Sequence, residues 1–355
     1  MKYKKIHWFV DGDRLNYLQN IVDGYDLSTE QAEALMGEVF DVATDAQIGA
    51  LLIALRMKGE SVSEIAGLAK KMRSSAIKIH PAVKGNLIDT CGTGGDARNT
   101  INVSTAAAIV TASCGVPVAK HGNYAISSQC GSANVLSELG VNISSKPEEV
   151  EKAIETVGLG FMLAPLFHPS MKRVAQVRRE LGLRTIFNIL GPLTNPAGAK
   201  SQLLGVYDPH LCEKLALVLK ALGSERALVV HGQGLDEITN TGETIISELM
   251  AGSVNNYLLH PKDFGYPLVD LKDITGGNPY ENAMILARVL QGERSPARDI
   301  IAMNSGAALY LAGKSADILG GIRLAEEALD SGSAMETLKH MVQFNGEPEK
   351  LERFI

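Results

Sequence analysis

A chain of 355 residues, 45% hydrophobic and 21% charged, is too long for one ordinary hydrophobic core and too apolar for bulk disorder, so two globular domains are predicted. Its 34 Lys and Arg against 40 Asp and Glu give a formal net charge of -6, which does not point to a polyanionic partner such as nucleic acid. The four cysteines, Cys91, Cys114, Cys130 and Cys212, form no CxxC pair, which argues against a zinc cluster and a disulfide framework and fits a reducing cytoplasm.

The opening stretch MKYKKIHWFVDGD has too short an apolar run before Asp11 for a signal-peptide core. Residues 15–78 then carry apolar side chains at three- and four-residue steps, which predicts a small all-helical unit. Ser28 and Gln31 stand in capping-box register at the start of one of its helices. Beyond Asn86 the rhythm changes. Short apolar runs, Leu87-Ile88-Asp89-Thr90, Val116-Pro117-Val118-Ala119 and Ala227-Leu228-Val229-Val230, alternate with helix-length segments, which predicts an α/β domain with a central, mostly parallel sheet. The longest apolar stretch, residues 103–119, falls short of a membrane span and contains Gly115 and Pro117, so it reads as a buried helix followed by a strand. One further helix is expected after Lys146-Pro147, with Ser145 and Glu148 in capping-box register and its end at Gly158. Another should run from Pro169 to Gly182, and the tail from Pro279 onward alternates helical stretches with glycine breaks.

Three loops concentrate chemistry. Asp89-Thr90-Cys91-Gly92-Thr93-Gly94-Gly95-Asp96 follows a predicted strand and leads to a helix opened by Ser104-Thr105. Glycines let backbone amides approach an anion, and a helix N-terminus adds unpaired N–H donors, so the loop suits a phosphate; an ordinary strand-to-helix turn has the same composition. It matches neither the Walker A lysine pattern nor GxGxxG. Lys120-His121-Gly122-Asn123 closes the next strand, where α/β sheets collect ligands; Lys120 would neutralise phosphate, Ser127, Ser128 and Ser132 would donate hydroxyls, and Ser132 equally suits an N-cap. Asp236-Glu237 offers two carboxylates, either solvated or aimed at a hard cation such as magnesium.

Taken with Asn102-Val103-Ser104-Thr105, Leu235-Asp236-Glu237 and the run from Arg184 through Asn188, Gly191, Pro192 and Asn195 to Pro196, these motifs resemble the anthranilate phosphoribosyltransferase family across nearly the whole chain. The resemblance implies a nucleoside-phosphorylase-II-like fold: a helical domain over residues 1–82 that also takes in helices from about 179–195, hinged to an α/β domain over residues 83–355, with dimerisation through the helices. It implies transfer of the phosphoribosyl group of phosphoribosyl diphosphate to the amino group of anthranilate, with Mg2+. Gly92, Gly95, Asp96, Thr100, Asn102, Val103, Ser104, Thr105, Lys120, His121, Gly122, Asn123, Ser127, Ser128 and Ser132 would hold the diphosphate substrate. Ser104, Asp236 and Glu237 would hold the metal, and Gly92, Asn123, His168 and Arg178 the anthranilate. Arg178 suits a carboxylate because a planar guanidinium grips it bidentately; His168, before Pro169, equally suits a helix start. No residue is assigned as a nucleophile.

The chain departs from the family pattern at Tyr124, Gln129, Cys130 and Asn134, where two cations and one acid are commonly found. Loss of those cations beside a diphosphate is expected to weaken its binding or alter how the loop closes, and the departures keep a specialised paralogue of the fold, pyrimidine nucleoside phosphorylase-like or nucleic-acid-binding, as the alternative.

Overall fold

The structure, a computed structural model, describes residue 15 and residues 17–95, 98–125 and 129–355. The chain divides into two compact units, Met1–Ser75 with Ser170–Leu190, and Ala76–Pro169 with Gly191–Ile355.

The first unit is helical. Three of its helices, Thr29–Asp41, Asp45–Lys58 and Val62–Ser74, each start on a complete capping box: Ser28 with Gln31, Thr44 with Gln47, and Ser61 with Glu64. In each box the hydroxyl and the third-position side chain satisfy amides that the helix itself cannot pair. Glu64 does more than cap. Fully buried, it accepts from Ser61 N at 2.8 Å, Leu27 N at 3.2 Å and Lys58 Nζ at 2.8 Å, which fastens the loop before Ser28 to the bundle. Leu35, Met36, Ile48, Leu52, Leu55, Ile65 and Leu68 form the core at three- and four-residue spacing. The Lys172–Leu181 helix adds Val174 and Val177 and ends at Gly182 in the left-handed region. The mid-chain contribution therefore begins at Ser170 rather than about 179, because Val174 is buried in this unit and Arg173 pairs with Asp45 at 3.3 Å and with Ala43 O.

The second unit contains seven strands: β1 (Ile88–Gly92), β2 (Val118–Gly122), β3 (Leu159–Leu163), β4 (Ser201–Gly205), β5 (Arg226–Gly232), β6 (Thr244–Met250) and β7 (Ser253–Leu259). They form one sheet in the order β3-β2-β1-β4-β5-β6-β7. The first five are parallel, and the β6–β7 hairpin, which the sequence pattern did not reveal, is antiparallel. Moving outward from β1, the chain goes first to β2 and β3 on one side and then to β4 and β5 on the other. The sheet thus has a topological switch point between β1 and β4, where open α/β sheets place their ligands. The apolar Val103–Ser113 and Pro296–Leu311 helices, with nearly every side chain buried, supply the core.

One capping assignment is corrected. The helix after Ser145 spans Pro147–Val157, its N-cap is Lys146, and Glu149 rather than Glu148 reaches back to Lys146 N at 2.8 Å. Ser145 instead donates to Asn142 O and accepts from Asn345. Proline fits the first helical position, which moves the cap one residue later than the Ser145–Glu148 spacing suggests. Among the described residues no helix is long and apolar enough to cross a membrane.

A Cβ on Gly67 would lie 2.2 Å from Thr29 O and 2.9 Å from Glu33 N, both main-chain atoms that cannot swing aside. Gly67→Ala should therefore destabilise the helical unit by about 1–3 kcal/mol through overpacking, more than the roughly 1 kcal/mol that alanine's helix propensity returns. Denaturant unfolding at constant m-value measures this; an unchanged or raised midpoint contradicts the packing described.

Candidate active site

At the switch point two glycines face each other in register, Gly92 ending β1 and Gly205 ending β4. A Cβ on Gly92 would lie 2.3 Å from Asp236 Oδ2, and one on Gly205 would lie 1.5 Å from the Asp236 carbonyl oxygen. The space those side chains would fill is occupied by Asp236, which comes from the segment just beyond β5. Gly94, at φ 63°, then turns its N–H onto Asp236 Oδ2 at 2.8 Å. Asp236 is delivered there by a tight turn in which Gly232 and Leu235 exchange two 3.0 Å backbone bonds and Gln233 and Gly234 adopt positive φ. His231 braces the turn, accepting from Gly234 N through Nε2 at 3.2 Å with its Nδ1 2.7 Å from Val206 O.

Glu237 meets the next element. Ser104 lies in the first turn of the Val103–Ser113 helix, where amides have no intrahelical partner, and its N–H donates to Glu237 Oε1 at 3.2 Å. The side chain of Ser104 faces Lys120, whose Nζ stands 3.3 Å from Ser104 Oγ and 2.6 Å from Thr90 O. Lys120 is only 2% exposed. Burial pushes its pKa down, and the Asp89 carboxylate opposes that fall. Asp89 itself is buried within β1 and accepts from Asn195 Nδ2 at 2.8 Å and His121 N at 3.3 Å. Burial raises its pKa to about 6 in spite of Lys120, so at neutral pH it remains an anion facing that cation.

The second loop is set by side chains folding back on the main chain. Ser132 accepts from Asn123 N and donates to Asn123 O, both at 3.2 Å. It is not the helix cap expected of it: Gly131 is the N-cap of the Ser132–Glu138 helix. Asn134 does the capping, accepting from Gly131 N and from Ala125 N at 3.0 Å each. An acceptor at the third helical position reaches two donors there, and the Ser132 hydroxyl is drawn instead to the open ends of Asn123. Val103 and Thr105 are each 1% exposed, so contact with a ligand would fall to their backbone amides. Thr100 pairs with Thr275 in a short bridge. Asp96, Ser127 and Ser128 lie outside the described residues.

Behind these loops His121 and His168 pack ring to ring with centroids 5.0 Å apart. Each has a buried Nε2 with no hydrogen-bond partner, and backbone bonds at Gly191 and Thr194 respectively act on the two rings. In the helical unit, Arg178 stacks its guanidinium 5.3 Å from the Phe187 centroid and is half-buried, whereas Arg179 is exposed.

The model described as "Glycosyl transferase family, helical bundle domain" matches residues 15–76, and "Glycosyl transferase family, a/b domain" matches residues 84–335. The anthranilate phosphoribosyltransferase of Methanococcoides burtonii is 53% identical, covering 92% of this chain and 93% of its own length. That of Haloarcula marismortui is 53% identical over 92% and 98%. The chain belongs to the anthranilate phosphoribosyltransferase family. The crystal structure of the Thermus thermophilus anthranilate phosphoribosyltransferase is similar at 42% identity and TM-score 0.89, covering 93% of this chain and 99% of that one. The Saccharomyces cerevisiae enzyme in complex with PRPP and Mg is similar at 29% identity and TM-score 0.86, over 94% and 98%. The nucleoside-phosphorylase-like and nucleic-acid-binding alternatives are not favoured.

Within this family member's α/β unit, the structure brings Gly92, Ser104, Lys120, Asp236 and Glu237 into one hydrogen-bonded or close-packed set, and His121 against His168. Sequence reasoning gave no role to Asp89, Asn195 or Gly205. Asp89 carried a signal, since an aspartate inside an apolar strand is costly unless it is paired. Gly205 carried none.

Burial, with the neighbouring His168 ring and Lys120, depresses His121 to about 3, and burial depresses His168 to about 4, both from 6.5. The folded chain therefore holds both rings neutral, while below pH 6.5 the unfolded chain takes up protons. Stability present above pH 6.5 is lost on acidification, by about 2 kcal/mol per ring at pH 5. Asp89, raised to about 6, works in the opposite sense over the acid range and offsets part of that loss. The melting temperature should fall from pH 7 to pH 5, and His121→Asn should make that fall shallower; an equally steep fall in the variant contradicts the assignment of His121 as a neutral ring.

Proposed function

We infer that this chain transfers the phosphoribosyl group of 5-phosphoribosyl 1-diphosphate to the amino group of anthranilate, giving N-(5-phosphoribosyl)anthranilate and diphosphate, a step of tryptophan biosynthesis. The observation that carries the reading is the convergence of Gly94, Ser104 and Lys120 with the Asp236-Glu237 pair at the sheet's switch point. A substrate with a metal-bridged diphosphate needs amide donors, a cation and carboxylates at one place.

The donor set fits magnesium: two carboxylates and the Ser104 hydroxyl are all hard oxygens, and Mg2+ is typically held by one or two carboxylates together with substrate phosphates. When bound, magnesium neutralises charge building on the leaving diphosphate. Lys120, held by Thr90 O and facing Ser104, adds a fixed positive charge, and the amides of the glycine loop and of the first turn of the Val103–Ser113 helix add oriented dipoles. Displacement at carbon 1 of the ribose breaks the bond to diphosphate and forms one to the aryl amine. The amine is already neutral at physiological pH, so its attack requires no strong general base. We assign Arg178 as the partner of the anthranilate carboxylate, with Asn123, Gly92 and His168 as further acceptor contacts. Arg178 lies over the Phe187 ring, its Cζ 5.3 Å from the centroid, and a guanidinium can grip a carboxylate bidentately. Exposed Tyr25, Val42 and Met57 support pairing of two copies through the helical unit, and four free cysteines support a reducing cytoplasm.

Purified protein with phosphoribosyl diphosphate and magnesium should consume anthranilate, followed as loss of its fluorescence; folded protein that leaves the fluorescence constant overturns the reading. Arg178→Ala should raise KM for anthranilate about ten- to hundredfold, the loss expected of a charge-assisted pair, and unchanged anthranilate kinetics would remove Arg178 from the acceptor site. The double variant Asp236→Asn, Glu237→Gln should need at least about tenfold more magnesium for half-maximal turnover, and a wild-type magnesium titration would separate the metal from these carboxylates.

A further inference from the structure

The two loops of the site are tied together at their bases by a segment more than 140 positions further along the chain. Residues 274–277 run beside the first loop: Ile101 N donates to Ile274 O at 3.2 Å, Thr100 pairs with Thr275, and Gly276 N donates to Asn99 O at 2.8 Å. The Pro279–Leu290 helix follows, capped by Asn278 with Glu281, and in its first turns lies Asn282, 1% exposed. From Asn282 a line of amides crosses to the second loop. Gly277 N donates to Asn282 Oδ1 at 2.8 Å, Asn282 Nδ2 to Asn102 Oδ1 at 2.9 Å, and Asn102 Nδ2 to Cys130 O at 3.0 Å. Alongside, Gln129 N donates to Asn99 Oδ1 at 3.3 Å.

The direction of this line is fixed from both ends. Gly277 contributes a main-chain N–H, which can only donate, and Cys130 a carbonyl, which can only accept, so neither amide between them can turn over without setting like atoms against each other. Gly276 gives Asn282 the room it needs, since a Cβ there would lie 2.1 Å from Asn282 Oδ1. Asn102 spends its side chain inside this line and acts on a ligand through its place at the head of the Val103–Ser113 helix.

We propose that Asn282 is a positioning residue for phosphoribosyl diphosphate: through Asn102 it holds the Cys130 end of the second loop in register with the glycine loop, so that the two loops meet one diphosphate. The kinetic part of this proposal rests on the function inferred above. The structural part does not.

Asn282→Asp is the sharp probe, because it keeps the shape and the acceptor for Gly277 N but presents an oxygen to Asn102 Oδ1. Protonation of that new carboxyl restores a donor. The charged or titratable groups around it are Glu281 on the same turn, the Cys130 thiol, which bonds Asn282, and Glu138 on the neighbouring Ser132–Glu138 helix. At pH 8 the variant should show KM for phosphoribosyl diphosphate raised about tenfold or more, with KM for anthranilate within about twofold. Its ratio to wild type should fall back toward one as pH is lowered to 6. Gly276→Ala, which displaces the amide without adding charge, should raise the same KM with no recovery on acidification, and it decides the matter if the aspartate variant does not fold. Hydrogen exchange of the unliganded proteins at pH 8 should show the main-chain amides at positions 129 and 276 opening faster in either variant. Unchanged exchange, or a KM ratio that rises equally for both substrates, overturns the proposal. Absence of turnover in wild type, together with faster exchange in both variants, would count against the inferred reaction and leave the tie intact.

Discussion

Two missing side chains organise the α/β unit. Because Gly92 and Gly205 face each other where β1 and β4 end, the Asp236 backbone and carboxylate can pack against the sheet at the point where its strand order reverses. A Cβ at Gly205 would force out main-chain atoms of Asp236, and one at Gly92 would displace its carboxylate, so this packing leaves little room for compromise. Its consequence is that residues separated by more than a hundred positions share one small volume: the loop after β1, the head of the Val103–Ser113 helix, and the turn beyond β5.

The electrostatics follow from that placement. Asp236 and Glu237 each receive a backbone N–H that the glycine loop or the helix cannot pair internally, and Lys120 is aimed by Thr90 O and Ser104. A buried Lys120 facing a buried Asp89 adds little to stability, since desolvation of both charges offsets their attraction. Its value lies in orientation: the ammonium, the amides and the carboxylates are in place before charge develops on a leaving group, so little reorganisation is required of them during reaction. Two imidazoles, His121 and His168, are kept neutral by burial, each with a buried Nε2 that has no hydrogen-bond partner.

Much of this could be read from the amino acids alone. Glycine-rich and lysine-bearing loops at strand ends, a helix N-terminus and an acidic pair are local patterns with local causes, and strands β1, β2 and β5 stood out as apolar runs between helical segments. What escaped were features settled by tertiary contact. Ser132 and Asn134 both suit a helix cap, and only the approach of Asn123 and Ala125 decides which of them takes that role. Ser145 yields its cap to Lys146 because Pro147 occupies the first helical position. Gly205 and Asn282 look ordinary in sequence; their roles come from neighbours far along the chain, Asp236 for one and Asn102 for the other. The β6–β7 hairpin was missed because β7, alternating between exposed and half-buried, lacks the apolar run that marks the inner strands.

Diffraction from crystals grown with phosphoribosyl diphosphate and Mn2+ as an anomalous stand-in for magnesium tests the central claim most directly. The account predicts an anomalous peak bridging diphosphate oxygens and the Asp236, Glu237 and Ser104 side chains, with Lys120 beside the same diphosphate. A peak and diphosphate bound away from the Gly92–Gly205 switch point, with Asp236 still packed as it is here, would contradict it.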